Sequence, residues 1–416
     1  MAVERLGSIL KHLSPGSPLS TLTSKNADDV VITLAIRTPL TKARKGGFKD
    51  TTLEYLAYAI LKEVKERSNI DPALVEDIAM GNVSDGKAAY KLRAAALAAG
   101  FPNTSSAYSV NRFCSSGLKA TADIAHAISN GSIEVGIAMG AESMTIGGDA
   151  LEKPFDEEVT KHSQESVDCM QPMGWTSENV SADFGISRQE MDKYAAESFQ
   201  RAERAQKDGL FADEIVPIKT RVKDANGEWK EVTLTADDGI RPGTTAESLG
   251  KIRAAFPQWG NGATTGGNAS QVTDGAAAVL LMKRSTAIKL GQPILAKYVG
   301  STVAGLAPRI MGIGPTVAIP KLLAQHGLTL ADVDVVEINE AFASMAVYCR
   351  DKLALDWAKM NPRGGAIALG HPLGATGARQ IVTGLAECRK SGKKILLTSM
   401  CIGTGMGMAG LFVNEQ

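Results

Sequence analysis

Long apolar runs are missing from this 416-residue chain, so no transmembrane helix is expected. Cysteine is scarce. The five (Cys114, Cys169, Cys349, Cys388 and Cys401) are scattered and show no C-x-x-C spacing. That excludes a disulfide framework, suggests no zinc or other metal site, and points to a reducing compartment. An excess of one charge is also missing. The 45 basic and 45 acidic side chains cancel, which removes any global attraction to nucleic acid or to an anionic membrane. Histidine occurs only five times, and four of the five lie outside any context suggesting catalysis.

Glycine, by contrast, is plentiful: 42 residues, gathered around particular turns, especially after residue 260. The length allows one large or two to three ordinary domains, and 44% hydrophobic with 22% charged residues is ordinary for a globular protein. The stretch 363–377 frames an apolar core, Ala366 to Leu369, with glycines and ends in the fifth histidine, His371. The pattern predicts a buried strand over 365–369, a tight turn, and a helix from Thr376. His371 would then stand at the tip of a strand, where α/β folds place their chemistry.

The chain reads in order as follows. Residues 1–27 look like an appendage: Val3, Leu6, Ile9, Leu10 and Leu13 recur at helical spacing before a Ser/Thr/Pro-rich link. Arg5-Leu6, five residues, then His12-Leu13 resembles an amino-terminal peroxisomal targeting signal. A frayed amphipathic helix and a mitochondrial presequence are the alternatives. Strand and helix patterns then alternate from 28 to 147, with the turn Asn111-Arg112-Phe113-Cys114-Ser115-Ser116-Gly117 between a strand and a helix. Between 148 and 268 the alternation stops and charged helical segments take over, which reads as an inserted segment. Residues 269–292 return to the first unit. Alternation resumes over 293–416.

A fixed offset links the two alternating regions. Cys114 and His371, Gly117 and Gly374, and Asn82 and Asn339 are each separated by 257 positions, while Met139 and Met400 nearly fit at 261. Repeated order at one spacing points to duplicated, pseudo-symmetric halves. Cys114 and His371 then occupy equivalent turns that can converge on one site.

The chemistry follows from residue type. A thiol at a helix N-terminus has a lowered pKa, and a nearby imidazole completes an activated nucleophile. The alternative for Cys114 is an inert buried cysteine. Cys401 opens Cys401-Ile402-Gly403-Thr404-Gly405-Met406-Gly407, where alternate glycines would bring backbone N–H groups close to a substrate. A phosphate loop competes weakly, since no Lys follows. A second thiol suits proton transfer at carbon beside a thioester. Asn339-Glu340-Ala341-Phe342 offers an amide to an oxyanion or a water, or a helix N-cap.

These motifs, Asn-Arg-Phe-Cys-Ser-Ser-Gly, Asn-Glu-Ala-Phe, Gly370-His371-Pro372 and Cys-Ile-Gly-Thr-Gly, resemble in kind and order the signatures of the thiolase family over about 28–416. One departure is Phe113, where many members carry Gln or Val. The resemblance implies an α/β fold of two βαβαβαββ halves in five α/β/α/β/α layers, with 148–268 as an inserted CoA-binding loop domain. It implies an acyltransferase that cleaves 3-ketoacyl-CoA with CoA as co-substrate and no permanent cofactor, as the last step of fatty-acid β-oxidation. Cys114 would carry the acyl group, His371 would take its proton, and Cys401 would protonate the departing enolate. His371 with an Asn339-held water, and the N–H groups of Cys114 and Gly403, would form two oxyanion holes. Arg241, Ser248, Ser270, Met173 and Phe342 match positions that hold CoA and the acyl chain. A homodimer and a peroxisomal import receptor are the implied partners. Rival readings are a biosynthetic acetoacetyl-CoA thiolase, a ketosynthase (which would carry His in place of Cys401), and a non-catalytic lipid- or CoA-binding relative.

Overall fold

The computed structural model describes residues 17–147 and 155–416. The targeting pattern Arg5, Leu6, His12 and Leu13 lies outside the described residues. The expected Ser/Thr-rich link contains a six-residue helix, Pro18–Thr23, which Ser17 caps by accepting from the Ser20 N–H and which buries Leu22.

Among the described residues, twelve strands form in chain order. The first half supplies β1 (Val30–Arg37), β2 (Thr41–Lys42), β3 (Asp77–Gly81), β4 (Ser106–Val110) and β5 (Val135–Ser143). A two-stranded hairpin of β6 (Ile218–Lys223) and β7 (Trp229–Leu234) follows, then β8 (Thr273–Lys283). The second half supplies β9 (Ala296–Gly305), β10 (Val335–Ile338), β11 (Ile395–Ile402) and β12 (Met406–Asn414). The order β4-β3-β5-β8-β1 in the first half is matched by β10-β11-β12-β9 in the second, and a short β1–β9 pairing joins them. β3, β4 and β5 run parallel, as do β10 and β11, which is what the helical crossovers demand.

Three apolar clusters separate the layers. Leu53–Ser68 and Ala88–Ala99 cover the outer face of the first half. Ser116–Ser129 and Thr376–Ser391 lie between the halves and share one cluster with strands of both. Pro315–Gln325 and Ala343–Lys352 cover the second half together with the long helix Arg188–Lys207. The two central helices meet closely at their N-terminal ends. A Cβ on Gly117 would lie 2.8 Å from both Ala378 N and Gly374 O, backbone atoms that cannot rotate away. Gly117→Ala is therefore expected to destabilise the fold by about 1–3 kcal/mol. The check is its thermal midpoint beside wild type, and an unchanged midpoint would mean that the helices part freely.

One predicted strand is not a strand. Ala366–Leu369 is a single helical turn. The edge of β10 where a fifth strand of this half would pair is already occupied. Val336 N donates to Lys359 O, Asn361 N donates to Val336 O, and the Asn361 side chain bonds both the N–H and the C=O of Ile338. Positive φ at Asn361 (46°) and Gly364 (80°) then turns the chain away from the sheet. Ahead of the expected strand, a one-residue bridge joins Val336 to Met360 at this edge. The match of Met139 with Met400 also shifts. The ladder sets Met80 opposite Met139 and Glu337 opposite Thr398, so the counterpart of Met139 is Thr398.

The inserted region is anchored by buried charge. Arg37 Nε donates to Glu214 at 2.6 Å, and its two terminal nitrogens grip Asp237 at 2.7 and 2.9 Å. Such a fork is strong and geometrically specific, and it ties the end of β1 to both flanks of the hairpin.

Candidate active site

Cys114 sits in the turn between β4 and the helix Ser116–Ser129, and backbone geometry holds it there. Phe113, the residue before it, has φ of +47°, a conformation a bulky side chain adopts only when its surroundings enforce it. The enforcing contacts are local: Asn111 Oδ1 accepts from Phe113 N at 2.9 Å, and the Ser116 hydroxyl donates to Phe113 O at 2.6 Å.

His371 is held by the chain that returns from the insertion. Its N–H donates to Gln271 O at 3.0 Å and to Thr273 Oγ1 at 3.2 Å. Gly370 has φ of +108°, and a Cβ there would collide with the Thr273 side chain. His371 thus follows a helical turn, not a strand tip as the apolar run suggested. Its ring lies between two partners. Asn339 Nδ2 faces Nε2 at 3.2 Å, and Thr376 Oγ1 faces Nδ1 at 2.6 Å. An amide nitrogen can only donate, and the Thr376 hydroxyl is already given to Pro372 O at 3.1 Å. These partners assign the ring proton to Nδ1 and leave the lone pair on Nε2. Such a ring can accept a proton from a thiol.

Asn339 follows the last residue of β10 and is fully buried; its Oδ1 has no hydrogen-bond partner among the described residues. It does not cap a helix, because the next helix begins at Ala343. Cys401, inside β11, is also fully buried, with its sulfur 3.6 Å from Met345 Sδ.

The Cys114 thiol responds to two neighbours, Cys401 and His371. Hydrogen bonding from the Cys401 thiol, then the charge and hydrogen bond of His371, hold the Cys114 thiol well below the ordinary range against the opposing effect of burial. Cys401 moves the other way, because its hydrogen bond to Cys114 and its burial both keep its proton in place. Burial pushes Cys349 up, and burial with the nearby carboxylates of Glu387 and Asp334 pushes Cys388 up to about 12. The site thus holds one thiol poised as a thiolate and one poised as an acid, a separation that acid–base chemistry needs.

The glycines after Cys401 divide in role. A Cβ on Gly403 would lie 3.5 Å from the Phe113 ring and 3.8 Å from Met173 Sδ, so this residue faces the site. Gly405 and Gly407 instead press against Leu306–Pro308 and Gly314. Two of the three glycines are therefore packing residues.

The other expected residues are dispersed around the insertion. Met173 begins the helix Met173–Phe184 and is 38% exposed. The segment before Ser270 bridges to Phe342, with Ser270 N donating to Ala341 O at 2.9 Å. Arg241 lies over the Phe199 ring at 5.0 Å and reaches Gly266 O at 3.2 Å, with no carboxylate partner among the described residues. Ser248 is exposed, and its hydroxyl is engaged in a capping box with Thr245. Sequence reasoning missed Thr376, Thr273 and Gln271, which orient His371. It also missed Glu340, which accepts from Tyr194, Ser198, Asn361 and the Ile367 N–H, linking the insertion to the 366–369 turn. Its place directly after Asn339 was the available signal.

Comparison with known proteins matches the chain to two family domains. Residues 30–285 match the thiolase N-terminal domain and 292–414 the thiolase C-terminal domain. The peroxisomal 3-ketoacyl-CoA thiolase of Yarrowia lipolytica is 52% identical over 418 residues, covering 99% of this chain and 100% of the relative. The dimeric peroxisomal thiolase of Saccharomyces cerevisiae superposes with a TM-score of 0.88 at 47% identity, over 95% of this chain and 100% of that one. A second structure of that yeast's peroxisomal 3-ketoacyl-CoA thiolase, described as five-layered with two core domains of identical topology, superposes at 0.77 with 42% identity, over 94% and 100%. With two halves of matching strand order meeting at Cys114, His371 and Cys401, this chain belongs to the thiolase family.

Proposed function

We propose that this protein cleaves 3-ketoacyl-CoA with CoA, giving acetyl-CoA and an acyl-CoA shortened by two carbons, in peroxisomal β-oxidation. The observation that carries the reading is the pair of thiols, Cys114 and Cys401, with oppositely displaced pKa values beside the His371 ring, which Asn339 and Thr376 orient. The Cys114 thiolate attacks the 3-keto carbon, its proton having passed to His371 Nε2. The C2–C3 bond breaks, its electron pair leaves as the acetyl-CoA enolate, and Cys401 protonates that carbon. The acyl group stays on Cys114 as a thioester. Cys401, now a thiolate, deprotonates the incoming CoA thiol, which attacks the thioester and releases Cys114. His371 and Asn339 stabilise oxygen charge in one half-reaction, and the N–H groups of Cys114 and Gly403 do so in the other.

The insertion, 148–268, receives CoA. Arg241 suits a phosphate because no carboxylate claims it. Ser248 and Ser270 bind along the nucleotide and pantetheine, and Met173 and Phe342 line the acyl channel. The protein works as a homodimer, as the yeast relative is described. It reaches the peroxisome matrix, the compartment named for its relatives, through a receptor that reads residues 5–13. Purified protein given CoA should release two acetyl-CoA per acetoacetyl-CoA consumed, or one acetyl-CoA and one shortened acyl-CoA per longer 3-ketoacyl-CoA; no release from either would overturn the reading.

A further inference from the structure

The pseudo-symmetry that pairs Asn82 with Asn339 and Cys114 with His371 also assigns a counterpart to Cys401. The ladder sets Gly81 opposite Gly140 and Ile338 opposite Ser399. Counting two residues onward from Gly140 and from Ser399 reaches Glu142 and Cys401. Asn82 and Asn339 each stand one residue beyond Gly81 and Ile338. Each half therefore presents the same three places to the space between the halves. One half fills them with Asn339, His371 and Cys401, and the other with Asn82, Cys114 and Glu142.

Glu142 is fully buried and collects donors from both halves. Its Oε2 accepts from Val83 N at 3.0 Å and from Gly374 N at 2.8 Å. Its Oε1 accepts from Asn82 Nδ2 at 3.0 Å, from Ser84 N at 3.1 Å, and from the Ser84 hydroxyl. Gly374 lies three residues after His371 in the turn that leads into the helix Thr376–Ser391. On the far side of that turn, a Cβ on Gly374 would lie 2.6 Å from Asn82 Cα. The His371 turn thus rests on the Asn82 backbone and hangs from the Glu142 carboxylate. Among the described residues no cation bonds this carboxylate, and burial pushes its pKa up.

We propose that Glu142 is a positioning residue. It fixes the distance between the Cys114 turn and the His371 turn, so that imidazole and thiol stay in contact. The three carboxylate-facing N–H groups of Val83, Ser84 and Gly374 demand an acceptor at both oxygens. A glutamine of the same size must turn its NH2 toward at least one of them, which leaves a donor facing a donor. The turn then shifts, and the thiol loses part of the stabilisation that His371 gives its charged form.

The proposal rests on the thiolase reading for its turnover arm only. Glu142→Gln should lower kcat about tenfold or more, with KM for CoA changed less than about twofold, since a sub-ångström misplacement acts on the chemical step. Independently of any turnover, alkylation of Cys114 by iodoacetamide should show its pH midpoint moved upward by about one unit. A purely structural Glu142 would lower the melting temperature and leave the alkylation profile of the folded protein unchanged, and that result overturns the proposal. Ser84→Ala keeps the charge and removes one donor from Oε1. Should Glu142→Gln not fold, Ser84→Ala is expected to move the alkylation midpoint in the same direction by a smaller step, and an unmoved midpoint there also overturns the proposal. A wild type that releases no acetyl-CoA would sink the thiolase reading while the alkylation arm still decides the role of Glu142.

Discussion

Cys114→Ala is expected to form no acyl adduct and to lose thiolysis by a factor of about 10⁵ or more, because the variant has no nucleophile to split the reaction into two steps. The measurement is the intact mass after brief exposure to acetoacetyl-CoA without free CoA. Wild type should gain one acetyl group, and the variant none. Cys114 is only 7% exposed and the substitution removes a single sulfur, so stability should move little. An adduct on the variant would move the acyl carrier elsewhere, with Cys401 as the first place to look.

Cys401→Ala should behave differently, and the contrast separates the two thiols. Loss of the acid–base group is expected to lower kcat by about 10²–10⁴-fold. An acyl adduct should still form on Cys114, slowly, because the nucleophile and His371 remain. The same variant removes the largest influence holding the Cys114 thiol down, its hydrogen bond from Cys401. The pH midpoint for alkylation of Cys114 should therefore rise. A variant with full turnover, or with an unmoved midpoint, would show that the two sulfurs act apart.

Much of this was readable before any coordinates, for a physical reason. The reacting residues stand at strand ends and helix starts, positions that short motifs mark, and duplication repeats them at a fixed spacing. Cys114, His371, Asn339 and Cys401 could be placed together on that basis. The helical turn at Ala366–Leu369 could not. Four apolar residues between glycines suit a strand or a helix equally, and what decided was Asn361 occupying the edge of β10 with its side chain. Ser248 could not be told from a capping serine, since both uses favour the same residue at the same place. The part of Glu142 was hidden because its donors come from 82–84 and from 374, segments far apart in the chain.

The opposite halves of the chain also impose an order in time. The two side chains that lower the pKa of Cys114, His371 and Cys401, lie 257 and 287 positions after it. While the chain is being synthesised, Cys114 emerges long before either of them and has the reactivity of an ordinary thiol. Its own sheet must wait as well, since β8 pairs with β1 and β5 only after the whole insertion has been made. The proposed nucleophile is therefore armed only after His371 and Cys401 have been made.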